Sequence, residues 1–211
     1  MNFDEFKKEF ALLGDGFKTA DLDRFNKQLI KRGEDVEFLA EHILTEKNYH
    51  RTFFQVSLAG CKGIEAKFAF IEKHFDKLQD WWHVDQLSQF VDKELTFAFG
   101  YEKAKEYIEH PHPFARRWGY VLFMPSLVKE KEAAEKLFPL FKDDDAYYVQ
   151  MAEAWLLSYL GIYAPEETLA YLQTCPLQYN IAGKAIQKIC DSYRVSPEWK
   201  EKFRQARTCY K

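Results

Sequence analysis

Glycine, proline and cysteine are all scarce in this chain of 211 residues, which contains nine glycines, seven prolines and four cysteines. So few turn-forming residues exclude a collagen-like chain and argue against a turn-rich β-sheet, whereas 19 phenylalanines and 12 tyrosines favour helices that pack through aromatic side chains. The cysteines show no spacing typical of a zinc site, so we expect free thiols, no disulfide and no zinc. They are Cys61, Cys175, Cys190 and Cys209.

The chain also lacks long apolar runs and an excess of one charge. No window approaches the roughly 18 uninterrupted apolar residues of a membrane span, and residues 1–6 lack the features of a signal peptide. We therefore expect a cytoplasmic protein with no membrane partner. The net charge of −3 argues against generic nucleic-acid binding, for which a basic domain is the usual footprint. Composition alone indicates no function.

Apolar residues recur three and four positions apart through most of the chain. In residues 84–91 they fall at Val84, Leu87, Phe90 and Val91, which form one face of a helix. No comparable run of alternating apolar residues occurs, and glycines, prolines and the acidic residues 143–145 separate the helical runs. The pattern predicts an all-α protein of about twelve helices, each of roughly 10 to 16 residues.

Five of these helices recur at a regular interval. Their centres lie near residues 55, 86, 119, 153 and 186, and each is preceded by another helix. The interval between successive centres is the period of two-helix repeats. We therefore predict a single domain, residues 1–211, built as an α-solenoid of degenerate HEAT-like repeats with a concave inner face. The residues themselves repeat poorly, so an irregular helical bundle is the alternative.

Three helices of this series contain cations but no acids. The acid-free stretches are residues 48–64, 110–128 and 176–190, whereas acids gather at 130–135 and 143–145. If the series helices share the concave face, that face is positive and suits phosphates; the alternative is that short acid-free stretches occur by chance in core-facing helices. If this face binds DNA and about four of these cations neutralise phosphates, the logarithm of the affinity falls with the logarithm of the salt concentration at a slope of roughly −3.6. The candidate cations are Arg51, Arg116, Arg117, Lys184 and Lys188.

The most unusual segment is residues 80–85, which read Asp-Trp-Trp-His-Val-Asp. In a structural interpretation Asp80 caps a helix, one tryptophan enters the core and Asp85 is a solvated acid. In a functional one, Trp81 and Asp85 share a helix face, because they are four residues apart. An aromatic plane beside a carboxylate suits a cationic ring or a developing oxocarbenium ion. Composition alone favours the structural interpretation.

Two further segments, taken with this one, resemble a known family. Residues 112–123, His-Pro-Phe-Ala-Arg-Arg-Trp-Gly-Tyr-Val-Leu-Phe, resemble the arginine-bearing inner helix of the AlkD-type DNA alkylation repair glycosylases. Residues 183–193, followed by Ser-Pro-Glu-Trp at 196–199, resemble their Lys-Ala-Ile helix. The resemblance covers about residues 48 to 200. It implies HEAT-like repeats and a protein that grips duplex DNA by its backbone and removes N-alkylated purines without a flipped-base pocket.

The resemblance also implies roles for individual residues. Trp81 matches the aromatic residue that faces the lesion deoxyribose, and Asp85 matches the carboxylate that stabilises the oxocarbenium ion and positions water. Arg117 or, one residue earlier, Arg116 matches the arginine that holds the DNA backbone. No metal, nucleotide cofactor or covalent nucleophile is implied, and we expect a monomer.

One departure from the family pattern leaves two alternatives open. Lys188 stands where the family's Lys-Ala-Ile helix has a second tryptophan, and a cation there repels a cationic alkylpurine while attracting phosphate. The family's lesion-facing tyrosine has no clear match, although Tyr49 or Phe53 could serve. The chain could therefore be a non-catalytic relative that binds duplex DNA. The net charge of −3 favours a third class, a helical-repeat scaffold for protein interactions.

Several other side chains have both a functional and a structural interpretation. His83 could relay protons beside Asp85, but we expect it to be a surface polar residue. Tyr147 and Tyr148 could stack on nucleic acid, but aromatic residues at helical spacing are more often part of the core. His110 and His112 could bind a metal, but without a third ligand nearby we expect a helix start with Pro113 in its first turn.

Overall fold

The structure is a computed structural model that describes residues 1–174 and 176–210. These residues form twelve α-helices, joined by turns and short 3-10 helices, and contain no strand, which confirms the predicted all-α class. The helices group into two compact units, which we call unit 1 (Met1–Glu94) and unit 2 (Leu95–Lys211). No helix in the described part of the chain is long and apolar enough to cross a membrane.

Unit 1 is built around its third helix, α3, which packs between α2 and α5. The apolar residues Leu22, Phe25 and Leu29 fall on one face of α2 and are buried, as their spacing predicts. Helix α2 ends at Gly33, whose φ of 68° is a left-handed conformation that glycine adopts without strain. The five helices are α1 (Phe3–Ala11), α2 (Thr19–Arg32), α3 (Lys47–Gly60), α4 (Ile64–Lys73) and α5 (Trp81–Val91).

Unit 2 is built around its longest helix, α9, which is apolar on most sides and packs against α7, α10 and α11. Gly161 lets α9 and α11 approach closely, because a Cβ atom at this position would lie 2.5 Å from Ile189. The seven helices are α6 (Phe97–Tyr107), α7 (Pro113–Val121), α8 (Ala133–Leu137), α9 (Tyr147–Tyr163), α10 (Pro165–Gln173), α11 (Tyr179–Asp191) and α12 (Pro197–Ala206).

Helices α3, α5, α7, α9 and α11 lie at the five centres that the sequence period predicts. Within unit 1 α3 packs on α5, and within unit 2 α9 packs on both α7 and α11. Helix lengths vary more than predicted, from five residues in α8 to 17 in α9. Helix α8 is short because Glu132, before it, has a φ of 66° and Pro139 follows it in a 3-10 turn.

The cysteines differ from one another in a way that the sequence did not predict. Cys61 and Cys190 are free thiols, and burial raises the pKa of each. Cys209 is disulfide-bonded, so the expectation of no disulfide is wrong. Cys175 lies outside the described residues. Sequence spacing failed here because a disulfide depends on the distance between two Cα atoms in the folded chain, which spacing along the sequence does not fix.

Candidate functional site

A cleft of about 320 Å³ opens on the surface of unit 1, where three helices meet. Helix α5 forms one wall, and α2 and α3 form the other. The cleft is therefore assembled from segments that are some 30 residues apart in the chain. Its lining consists of Thr19, Leu22, Asn48, Arg51, Trp81, Trp82, Asp85, Gln86 and Gln89.

Trp81 and Asp85 both line this cleft. Helix α5 begins at Trp81 because the carboxylate of Asp80 accepts a hydrogen bond from the Trp81 backbone N–H at 2.7 Å. Trp81 is 47% exposed, although a tryptophan is usually buried. Asp85 lies one helical turn further along α5 and is half-buried. The cleft therefore presents an accessible indole and a carboxylate on the same helix face.

Arg51 lies in the opposite wall of the cleft and is held on three sides. Its Nε and Nη2 atoms donate to the two carboxylate oxygens of Asp23 at 2.7 and 3.0 Å, which is the bidentate geometry of a strong ion pair. Its Nη1 donates to the side-chain oxygen of Gln86 at 3.3 Å. The guanidinium also lies over the ring of Phe90, 5.3 Å from its centroid. Arg51 was predicted to contact DNA, and the structure pairs it with a carboxylate.

Two buried histidines lie behind the cleft. Since Arg51 can only donate, the oxygen of Gln86 faces Arg51 and its nitrogen faces His50, whose Nδ1 accepts at 2.7 Å. Burial lowers the pKa of His50 to about 2, and the neighbouring His83 contributes. The two imidazoles stack in parallel with their centroids 3.7 Å apart. The expectation that His83 is a surface residue is wrong, because the side chain packs on His50 and is only 6% exposed.

The two residues considered as the family's lesion-facing tyrosine do not line the cleft. Phe53 is fully buried. Tyr49 packs its ring against those of Phe6 and Phe10 in the aromatic core of unit 1, and burial raises its pKa. Both rings therefore stabilise unit 1, and neither contributes a second aromatic wall.

The two arginines of α7 in unit 2 are committed to acceptors within the protein. Arg116 forms a bidentate pair with Asp144, at 2.6 and 3.1 Å, and donates to the carbonyls of His110 and Pro111. Arg117 is only 4% exposed and donates to the carbonyl of Tyr148 at 2.6 Å. Both arginines were predicted to hold the DNA backbone, yet in this structure they hold the ends of helices and loops in unit 2.

Lys184 and Lys188 are placed differently. They lie one turn apart on α11 and are both exposed, while the apolar residues between them, Ala185 and Ile186, are buried. Among the described residues no ion pair involves either ammonium group. Of the five predicted DNA-contacting cations, these two have the accessibility that a phosphate contact requires.

Two exposed tyrosines mark the start of α9. Tyr147 is 61% exposed and Tyr148 39% exposed, so the expectation that they belong to the core is wrong for both. Gln150, one turn on, is buried and links its neighbours: its amide donates to the carbonyl of Asp144 at 2.6 Å and its oxygen accepts from Asn180 at 3.0 Å. The first turn of α9 therefore points outward and the following turns point inward.

The histidine and proline segment before α7 forms a helix start, as predicted. Pro113 is the first residue of α7, and the backbone N–H of His112 donates to Nδ1 of His110 at 3.0 Å. Within the described ranges, no group of three or more histidine, cysteine or carboxylate side chains could hold a metal ion.

Asp23 and Gln86 are the residues of the cleft region that the sequence did not indicate. Each is bonded to Arg51, from 28 and 35 positions away along the chain. Neither belongs to a motif, and Asp23 is one of two acids in α2. Only the packing of α3 between α2 and α5 makes them partners of one guanidinium.

Comparison with known proteins gives a family match. A family model described as DNA alkylation repair enzyme matches residues 5–190, which extend from α1 into α11. The matched range includes the cleft of unit 1, both arginines of α7 and both lysines of α11. No curated protein and no solved structure matches the chain.

Proposed function

Since the chain belongs to the DNA alkylation repair enzyme family, we propose that it is a glycosylase that hydrolyses the N-glycosidic bond of N-alkylated, cationic purines in duplex DNA. The observation that carries this proposal is the shared position of Trp81 and Asp85 in the cleft of unit 1. An accessible indole and a carboxylate on one helix face suit a substrate that develops positive charge.

The proposed reaction needs little from the protein besides charge and orientation. The bond between C1′ and the purine nitrogen breaks, and its electron pair leaves with the base, which becomes neutral. The face of Trp81 packs against the deoxyribose. Asp85 stabilises the positive charge on the sugar and accepts a proton from the water molecule whose oxygen attacks C1′.

The magnitude of such a contribution is sufficient for catalysis. A carboxylate about 4 Å from a developing positive charge, at an effective dielectric constant near 20, contributes roughly 4 kcal/mol. A stabilisation of this size raises the reaction rate about a thousandfold. Since the alkylated purine is already cationic, it is a good leaving group and the proposed mechanism requires no metal or cofactor.

We further infer that the helices are degenerate HEAT-like repeats. The support is the regular spacing of α3, α5, α7, α9 and α11, together with polar links between successive members of this series inside each unit. Repeat proteins of this kind commonly bind extended partners along the inner helices. We propose that Lys184 and Lys188 on α11 contact the phosphates of such a partner.

Substitution of Asp85 by asparagine tests the proposed chemistry. Asp85→Asn removes the charge and keeps the shape, so we expect excision of 7-methylguanine from methylated duplex DNA to fall by about two to three orders of magnitude with little change in DNA affinity. The matched control is Glu65→Gln, which neutralises an exposed acid in α4 outside the cleft. Robust excision by the wild type that survives Asp85→Asn would contradict the assigned role.

The exposed position of Lys188 favours a second candidate function, duplex DNA binding without excision. The family pattern that the chain resembles has a tryptophan at the position of Lys188, and a cation there repels a cationic alkylpurine. If the chain is instead a glycosylase of altered specificity, Lys188→Trp should therefore raise excision of a cationic alkylpurine. Absence of excision from both the wild type and Lys188→Trp, with duplex binding intact, would favour the binding-only function.

A further inference from the structure

Arg51 brings a positive charge to the wall of the cleft that Trp81 and Asp85 also line. In a site that stabilises a developing cation, an uncompensated guanidinium would act against the carboxylate. The proposed chemistry therefore requires the charge of Arg51 to be offset by a neighbouring group.

The carboxylate of Asp23 offsets the charge of Arg51, and the geometry of the pair restricts the movement of the guanidinium. The two side chains meet through two parallel hydrogen bonds, and both are largely buried, with 13% of the Arg51 side chain and 28% of the Asp23 side chain exposed. Gln86 and the ring of Phe90 fix the remaining sides of the guanidinium. Asp23 itself lies behind the cleft wall and does not line the cleft.

A second polar link joins α2 to α3, apart from the ion pair. The hydroxyl of Thr52 donates to the side-chain oxygen of Asn26 at 2.8 Å, and the Asn26 amide donates to Gln55 at 2.7 Å. Apolar packing of Leu22 and Leu29 adds to this interface. A role for Asp23 in charge compensation is thus separable from a role in packing.

We propose that Asp23 determines the specificity of the cleft for cationic substrates by cancelling the charge of Arg51, which would otherwise oppose the field of Asp85 at the lesion. This inference rests on the proposed function, since it concerns the same cleft. Asp23 acts through Arg51 and is a positioning residue.

The test compares two duplexes that differ only in charge at one sugar. One carries a pyrrolidine abasic analogue, whose protonated nitrogen mimics the charged sugar, and the other carries a neutral tetrahydrofuran analogue. The ratio of the two affinities isolates the preference for charge from general binding to the DNA backbone. We expect the wild type to prefer the pyrrolidine duplex and Asp23→Asn to reduce that preference about tenfold.

Further variants separate charge compensation from a structural role. Asp23→Asn combined with Arg51→Gln removes both charges and should restore the preference for the pyrrolidine duplex. Arg51→Gln alone should increase it, because the charge of Asp23 then adds to that of Asp85. The matched control is Glu9→Gln, which breaks the bidentate Arg32–Glu9 pair on the surface of unit 1, outside the cleft, and should leave the preference unchanged.

The outcomes separate this inference from the proposed function. It is overturned if the wild type binds both duplexes equally, if Asp23→Asn keeps the preference, or if the preference lost in Asp23→Asn is not restored by Arg51→Gln. An unfolded Asp23→Asn variant leaves the comparison of the wild type with Arg51→Gln as the deciding measurement. Excision of 7-methylguanine by the wild type is measured separately, and its absence counts against the glycosylase proposal alone.

Discussion

Unit 1 and unit 2 both contain an arginine–carboxylate pair at the same sequence separation of 28 residues, Asp23 with Arg51 and Arg116 with Asp144. In each pair the guanidinium meets the carboxylate through two hydrogen bonds. The surroundings differ. The Asp144 side chain is 6% exposed, against 28% for Asp23, and Arg116 also fixes two carbonyls ahead of α7. Arg51 instead borders an open cleft.

This difference indicates that the two arginine–carboxylate pairs have different roles, although their hydrogen-bond geometry is alike. Arg116 holds the chain before α7 and the start of α9, and it pairs with a carboxylate that is almost fully buried. Hydrogen bonds from Arg116 and Ala146 lower the pKa of Asp144, although burial acts in the opposite direction. In unit 1 the same chemistry leaves a neutralised arginine beside a carboxylate and an exposed indole. The candidate site is therefore a property of unit 1, and the exposed lysines are a property of unit 2.

A buried side chain with a strongly shifted pKa occurs in each unit, His50 in unit 1 and Glu153 in unit 2, and the two shifts make stability depend on pH in opposite directions. In unit 1 burial lowers the pKa of His50 to about 2. In unit 2 burial raises the pKa of Glu153, in the middle of α9, to about 8. Both groups are neutral in the folded protein near pH 7. Acid should therefore weaken unit 1 through His50, and alkali should weaken unit 2 through Glu153.

Substitution of Glu153 should give the largest change. A pKa that rises from 4.5 to about 8 on folding contributes stability that is present below pH 4.5 and is lost as the pH rises towards 8. Glu153→Gln removes this dependence. From pH 5 to pH 8.5 we expect the free energy of unfolding of the wild type to fall by about 4 kcal/mol relative to the variant. Urea denaturation at both pH values measures it, with exposed Glu135→Gln as the control.

Substitution of His50 should give a somewhat smaller change of opposite direction. A pKa lowered from 6.5 to about 2 contributes stability that is present above pH 6.5 and is lost as the pH falls below it. Between pH 7.5 and pH 4.5 the wild type should therefore lose about 3 kcal/mol relative to His50→Gln. Parallel curves for the two proteins over this range would show that His50 protonates in the folded state and would remove the contrast between the units.

The smallest effect concerns the lysines of unit 2. If Lys184 and Lys188 neutralise one phosphate each, they contribute roughly −1.8 to the salt slope, about half the value expected when four cations take part. Changing either lysine to alanine should reduce the magnitude of the slope by about 0.9. Arg117→Met should instead leave the slope unchanged and lower stability, because the Arg117 side chain is buried and bonded to Tyr148. If the salt slope changed in Arg117→Met and stayed the same in both lysine variants, the phosphate contacts would have to be assigned to Arg117 and not to the lysines.

Local periodicity predicted the helices well, and the reason is that each helix depends on residues close together in the chain. The spacing of apolar residues in 84–91 predicts α5, and the four-residue separation of Trp81 and Asp85 predicts that they share one of its faces. The start of α9 was harder, because that helix is apolar on most sides and its periodicity does not indicate which face is exposed. Aromatic residues at helical spacing predict a core position for Tyr147 and Tyr148, whereas the structure exposes both.

The sequence alone predicts the helical class and the positions of the five recurring helices, and its match over residues 5–190 shows membership of the DNA alkylation repair enzyme family. The partners of each charged side chain, by contrast, depend on how the helices pack. Ion pairs such as Arg51 with Asp23 join residues 28 positions apart, and the distance between them is set by how whole helices pack. The three arginines for which the sequence predicts DNA contacts are consequently bonded to acceptors within the protein. Lys184 and Lys188 remain exposed because they lie on the outward face of α11.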